Sequence, residues 1–291
     1  MMRMFVLLCV LLLSSQQGQA RERLTWLVRD LPPFTIFEGQ EKGQGVVDRM
    51  LPLLIEQMPE YDHTVLRVNR ARGIQMLQER SFTCDPTLLW TPERARFVHF
   101  SQPTLPILSS GLVIRKADPG RLDESEDGTP VDLKQVLERP GMKLGIVAQR
   151  SYGVVVDDIL RQLPETMLSR HYGNDATANL LQMQQLGRLQ LVLGYWPEVR
   201  YLIQQQGGSL DSYQFHPIKG ANRYQFLHVG CSDTPLGRQA IAHIDKLLPH
   251  LRQEVLPEFY ASWLDPELRT EYLEQTRHLV EELPSAANPQ P

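Results

Sequence analysis

The sequence predicts an α/β protein of two domains, each a mostly parallel sheet flanked by helices. Three observations carry this. Short apolar runs suited to buried strands alternate with segments of helical periodicity along the chain. At 291 residues the chain is about two domains long, at roughly 150 residues per domain. A loop rich in Asp, Glu, Pro and Gly, Lys116 to Pro130, divides two such cycles. With 42% apolar and 22% charged residues the composition is that of a globular protein, which excludes disordered and fibrous classes. A net charge of -4 offers no broad basic surface, so nucleic acid is not an expected partner.

Met1 to Ala20 reads as a secretory signal peptide. Arg3 precedes an apolar run from Met4 to Leu13, and Gly18-Gln19-Ala20 places small residues at the third and first positions before a cut after Ala20. Ten apolar residues fall short of the roughly 20 that span a bilayer. Cys9 follows Leu7-Leu8 rather than the small residues of a lipoprotein site. The mature chain, lacking Arg3, is one charge more negative and is expected to be soluble and periplasmic. It keeps Cys84 and Cys231, an even count where disulfides are permitted; two buried free thiols are the alternative.

Leu24 to Val28 is a nearly continuous apolar run, the pattern of a buried parallel strand, stopped by Pro32-Pro33. Val46, Val47, Met50, Leu51, Leu54, Ile55 and Met58 fall on one helical face, with Pro52 expected to perturb the first turns. Val65 to Val68 reads as strand, Ala71 to Glu79 as helix with Ile74 and Leu77 inward, and Ile107 to Ile114 as strand. The second cycle has strand Leu144 to Val147, helices Val154 to Leu163 and Ala176 to Leu186, the latter capped by Asp175, and strand Leu189 to Leu193. Pro197 marks a helix start. After a strand at Tyr224 to Val229 the chain turns helical, with Leu236, Ala240, Ile244, Leu247, Leu248 and Leu251 on one stripe, and Pro284 to Pro291 reads as a frayed tail.

Catalytic signatures are missing from this pattern. None of the eight histidines forms a His-Glu-x-x-His motif and no Cys pair has zinc spacing, so no metal and no cofactor are expected. No Gly-x-Ser-x-Gly elbow or Walker A loop is present. Gly43-Gln44-Gly45-Val46-Val47-Asp48 begins like a dinucleotide fingerprint but follows a polar loop and ends in Asp, so it reads as a loop entering a helix. The acidic cluster Asp123 to Asp127 reads as a solvated loop, and Phe259, Tyr260 and Trp263 as core.

Pro33-Phe34, Gly45-Val46-Val47-Asp48, Trp90-Thr91-Pro92-Glu93-Arg94 and Phe100-Ser101-Gln102-Pro103, in this order and spacing, resemble family 3 of the bacterial periplasmic solute-binding proteins. That class includes amino-acid receptors of ABC importers. The similarity continues through Lys143 to Ser151 and Gly187 to Val192 and spans nearly the whole mature chain. It implies a type II periplasmic-binding-protein fold: lobe I from residues 21–107 and 224–291, lobe II from residues 108–223, and a cleft between them. It further implies a monomeric, non-enzymatic receptor that captures a small solute for an ABC permease or a membrane sensor.

The resemblance also assigns residues. Arg94 matches the Arg that pairs with a ligand carboxylate, a task a guanidinium fork suits, or it serves a surface or interlobe salt bridge; Arg96 reads as structural. Phe34 and Trp90 stack on the ligand or belong to lobe core. Of Asn69, Arg70 and Arg72, in a segment where family members place a cleft residue, Arg70 is the best candidate. Gln149, Arg150, Ser151 and Tyr152 correspond to the loop that grips the ligand from the second lobe, Arg150 adding a second cation. One departure stands out: where the family's acid would pair with an ammonium, this chain has Gly194-Tyr195-Trp196, so Tyr195 is expected to offer an aromatic face to an anionic, carboxylate-bearing ligand rather than to a standard amino acid. The stretch Thr83 to Thr87 also departs from the Ser-rich one usual there. Cys84 falls where the third strand of the first lobe runs and Cys231 on the returning strand beside it, so the two are expected to form a disulfide. The alternatives are a dehydratase-like enzyme on the same fold, with Asp30 or Asp85 as its carboxyl, and a partner-binding protein with a degenerate cleft.

Overall fold

The computed structural model describes residues 21–79, 81–118 and 128–281. The signal peptide read at residues 1–20, the acidic cluster Asp123 to Asp127 and the tail Pro284 to Pro291 lie outside the described residues. Among the described residues no helix is long and apolar enough to cross a membrane.

The first apolar run forms β1 (Arg23–Val28), which pairs in parallel with β2 (Asp62–Arg67) and β3 (Thr83–Leu89). Between them lie α1 (Val46–Glu56) and α2 (Arg70–Gln78). Pro52 does not break α1: it removes one backbone donor, while Val47, Met50, Leu51 and Leu54 stay buried on one face. Gly45 is required at the helix start, because a Cβ there would stand 2.4 Å from the Phe34 carbonyl oxygen. Asp48 Oδ2 accepts from Gly45 N at 3.1 Å and Ile36 N at 2.9 Å, tying α1 to the loop that carries Phe34.

The run Ile107 to Ile114 is not one strand. It divides at Ser109-Ser110 into the end of β4 (Val98–Leu108) and β5 (Gly111–Arg115), because the chain leaves one sheet there and enters the other. The second sheet adds β6 (Leu144–Val147), β7 (Leu168–His171), β8 (Leu191–Gly194) and β9 (Tyr213–Pro217). It is flanked by α3 (Leu133–Leu137), α4 (Val154–Gln162), α5 (Ala176–Gln185) and α6 (Trp196–Gln205). Asp175 precedes α5 as expected but makes no side-chain cap bond. The chain then returns through β10 (Tyr224–Ser232) to the first sheet, followed by α7 (Pro235–Glu254), α8 (Leu256–Ala261) and α9 (Pro266–Glu281).

The strand orders are β2-β1-β3-β10-β4 and β7-β6-β8-β5-β9. Each sheet is mixed: its first three strands are parallel, and the last two pair antiparallel. Alternation of strand and helix predicts only the parallel half; the antiparallel half arises from the strands that cross between sheets. Helices α1, α7, α8 and α9 cover one face of the first sheet around Trp26, Leu54, Ile244, Leu248 and Tyr260, all buried. Cys84 and Cys231 face each other in the antiparallel register of β3 and β10, and they form a disulfide with Cα atoms 4.0 Å apart.

His228 on β10 is buried in this lobe and donates from Nδ1 to the Ser101 carbonyl at 2.7 Å. Burial, opposed by that bond and reinforced by Arg252, lowers its pKa to about 4. The unfolded chain, with an ordinary His near 6.5, therefore binds more protons between pH 6.5 and 4, and stability falls as pH drops through that window. A loss of roughly 2 to 3 kcal/mol by pH 4 is expected from this group. His228→Asn keeps the donor and does not titrate, so denaturant unfolding at pH 7 and 4.5 should show a smaller acid loss in the variant. Equal losses in both would place the acid sensitivity elsewhere.

Candidate functional site

Four guanidinium groups, those of Arg29, Arg70, Arg94 and Arg150, meet between the two sheets, and all four side chains are buried. Arg29 follows the last residue of β1 and Arg94 opens the short 3-10 turn after β3. Arg70 is the first residue of α2, and Arg150 lies in the loop between β6 and α4. They border two cavities. The inner one, about 20 Å³, is lined by Phe34, Arg70, Thr87, Arg94, Arg150, Ser151 and Tyr195, among others. The outer one, about 310 Å³, at the low end of small-ligand sites, shares Arg70 and Arg150 and adds Arg29, Asp30, Asp175 and Thr177.

Two of the cations are paired within the protein. Arg29 forms an ion pair with Asp85, which is itself 0% exposed, and donates to Thr87 Oγ1 at 2.8 Å. Burial and the neighbouring Arg94 and Arg150 lower the Arg29 pKa to about 9, which leaves it charged at neutral pH. Arg150 is gripped at both ends of its fork by Glu198, at 2.7 and 3.0 Å, and Thr177 Oγ1 donates to the same carboxylate at 2.7 Å. Burial opposes the Arg150 charge, but Glu198 outweighs it and holds the pKa above its ordinary value.

The other two lack a carboxylate in contact. Arg94 donates to the Leu89 carbonyl at 3.0 Å and, across the cleft, to the Gln149 carbonyl at 3.1 Å. Gln149 has a positive φ of 61°, a conformation that costs a non-glycine residue about 1 to 3 kcal/mol and recurs at binding sites. Arg70 is 8% exposed and has no hydrogen-bond or ion-pair partner among the described residues. Burial and the charges of Arg29, Arg150 and Arg94 push its pKa well down. Asn69 caps α2 by accepting from Arg72 N at 2.9 Å, which sets Arg70 at the positive end of the helix dipole, the end that favours negative charge.

Arg70, Arg94, Arg150, Ser151, Phe34 and Tyr195 are thus brought together, but several differ in detail from the sequence expectation. Arg150 is not free, since Glu198 neutralises it. Ser151 Oγ donates its proton to Asp157 at 2.5 Å. Phe34 both lines the inner cavity and stacks on Tyr260 with centroids 5.8 Å apart. Burial raises the Tyr195 phenol to about 12, against the pull of Arg150 and Arg70, so it is neutral at physiological pH.

Trp90 and Tyr152 line neither cavity. Trp90 packs with Leu27, Leu88, Val98 and Phe100 on the opposite face of the first sheet. Tyr152 is 0% exposed inside the second lobe, its hydroxyl accepting from Val147 N at 2.8 Å. Asp85 is committed to Arg29 and Thr87, and Asp30 pairs with Arg67 at 3.3 Å. Among the described residues no cluster could hold a metal ion.

Sequence reasoning missed Arg29 and Glu198. Each had a local signal: a charge at the end of a buried apolar run, and an acid in the first turn of a helix begun by Trp196-Pro197.

Two mixed α/β sheets, joined where the chain crosses at Ser109-Ser110 and again between β9 and β10, with a polar cavity between them, constitute a two-lobed periplasmic-binding-protein fold. Three solved structures show the likeness. A histidine kinase sensor domain with similarity to periplasmic binding proteins is 16% identical, with a TM-score of 0.65 over 85% of this chain and 98% of that one. An ancestral arginine-binding protein bound to arginine is 14% identical, with a TM-score of 0.62 over 85% and 100%. A structure concerned with glutathione import via GshT and the cystine ABC importer TcyBC of Streptococcus mutans is 14% identical, with a TM-score of 0.61 over 83% and 94%. No family model and no curated protein matches the chain.

Proposed function

We propose that the protein is a periplasmic solute-binding receptor that holds a small anionic solute between its lobes and presents it to an ABC-type importer or a membrane sensor. The carrying observation is Arg70: a buried guanidinium without a counter-ion among the described residues, at the positive end of a helix, on the wall of both cavities. No structural economy accounts for a cation there, whereas an anion in the cavity would compensate it. Importer and sensor roles both occur among the solved structures of this fold. Capture rather than turnover is favoured because Asp85 is committed to Arg29 and Thr87, and Asp30 to Arg67. Under this reading lobe I comprises residues 21–107 and 224–291 and lobe II residues 108–223, with the hinge at the two crossings. The leader is cleaved after Ala20 and the mature protein acts as a monomer.

A thermal-shift screen of anionic, zwitterionic and neutral solutes tests it. A ligand at 100 times its Kd should stabilise the protein by about 2.7 kcal/mol. With that ligand, Arg94→Ala should weaken binding by about 100-fold or more, the loss expected when a buried charge partner is removed. Arg96 is exposed, and Arg96→Ala should change affinity less than about twofold. Stabilisation by a neutral sugar alone, or unchanged affinity in Arg94→Ala, would reject the anion reading.

A further inference from the structure

We propose that the head group seated between Arg70 and Arg94 is a tetrahedral dianion, a phosphonate or a phosphate monoester, rather than a carboxylate; this deepens the receptor reading above and rests on it. Charge at the inner cavity leads there. Arg29 is matched by Asp85 and Arg150 by Glu198. Asp157 is held by Ser151 Oγ and by Tyr152 N at 2.8 Å, lines neither cavity, and acts on Arg94 only through space. Arg70 and Arg94 therefore bring two positive charges with no carboxylate in contact. A carboxylate neutralises one of them. A phosphonate or phosphate ester above its second ionisation, near pH 6, carries close to two negative charges.

Shape points the same way. Arg70 and Arg94 line the inner cavity from the first lobe and Arg150 from the second, so cationic donors border it from both sides of the cleft. A carboxylate offers two oxygens in a plane, whereas a tetrahedral group offers three in different directions, each suited to a charge-assisted bond. The hydroxyl protons of Thr87 and Ser151 already go to Asp85 and Asp157, which leaves the guanidinium groups and the Tyr195 phenol as the side-chain donors. At about 20 Å³ the inner cavity has room for about one water, or one oxygen of the head group, and the outer cavity, with Asp30 and Asp175 on its wall, accepts a polar or cationic tail.

Calorimetry at pH 8 on the mature protein with β-alanine, taurine, 2-aminoethylphosphonate and phosphoethanolamine tests this. The first three share one ammonium tail and differ in head group: planar monoanion, tetrahedral monoanion, tetrahedral dianion. The fourth separates ester from phosphonate. The tighter of the two phosphorus compounds should bind at least tenfold more strongly than both taurine and β-alanine, and should identify the source. Arg70→Gln should erase that advantage while Arg70→Lys, which keeps the charge, retains part of it. An advantage below tenfold in the parent, or one unaltered in Arg70→Gln, overturns the dianion while leaving an anion receptor in place. Absence of both binding heat and thermal shift with all four likewise overturns the dianion, while the anion reading is decided separately by the broader solute screen.

Discussion

Cleaving the Cys84–Cys231 bridge is expected to lower stability by about 5 kcal/mol, the chain-entropy value for a closed loop of 147 residues. The closed loop contains the whole second sheet, because β3 precedes the crossing and β10 follows the return. The bridge therefore keeps the returning strand beside its partner whatever the second lobe does. Both residues are 0% exposed, so a reductant should reach the sulfurs only when the first lobe opens. Denaturant unfolding with and without reductant gives the difference, and thiol titration of unreduced, denatured mature protein should find no free thiol. Two free thiols, or superimposable unfolding curves, would refute the prediction.

The bridge was legible from the order of strands that the family resemblance implies, and the helices were legible from local pattern. Strand β4 was not, because Pro103 and Pro106 argue against a strand when read locally. They are tolerated because β4 lies at the edge of its sheet, with a ladder on one side only. Pro86 sits inside a central strand for a related reason: pairing with β1 ends at Cys84, and the ladder with β10 is irregular between Gly230 and His228, which pair with Asp85 and Leu88 on either side of Pro86. Edges and bulges are properties of the assembled sheet and leave no periodic trace.

Site residues divide in the same way. Arg70, Arg94 and Tyr195 stand at strand ends and helix starts, where local reading and the resemblance agree. Parity settles Trp90 as lobe core, the second of its two readings: Leu89 lines the inner cavity, and the next residue along an extended chain points to the other face. Arg29 and Glu198 find their carboxylate and guanidinium partners 56 and 48 residues away in sequence, so only the folded chain shows that these charges cancel. That cancellation changes the reading of the cleft from one dominated by Arg94 and Arg150 to one dominated by Arg70 and Arg94.

Glu198→Ala is expected to destabilise the protein by about 3 to 5 kcal/mol, the cost of leaving one member of a buried ion pair without its partner. Glu198 and Arg150 are 3% and 5% exposed, so water cannot take over the lost bonds. The variant would leave Arg150 uncompensated beside Arg29, Arg70 and Arg94, and would strand the Thr177 hydroxyl as well. Replacing both partners with apolar residues of similar size, Arg150→Met with Glu198→Leu, removes charge and partner together and should recover most of the loss, because a buried pair repays little beyond its own desolvation. The contrast separates two explanations of the same single-variant result. If Glu198 acts by neutralising Arg150, the double variant is more stable than Glu198→Ala in denaturant unfolding. If Glu198 matters instead through the packing of its stem in the first turn of α6, Glu198→Leu alone recovers as much stability as the double variant, and the charge inventory of the cleft has to be redrawn with Arg150 as a third cation open to the ligand.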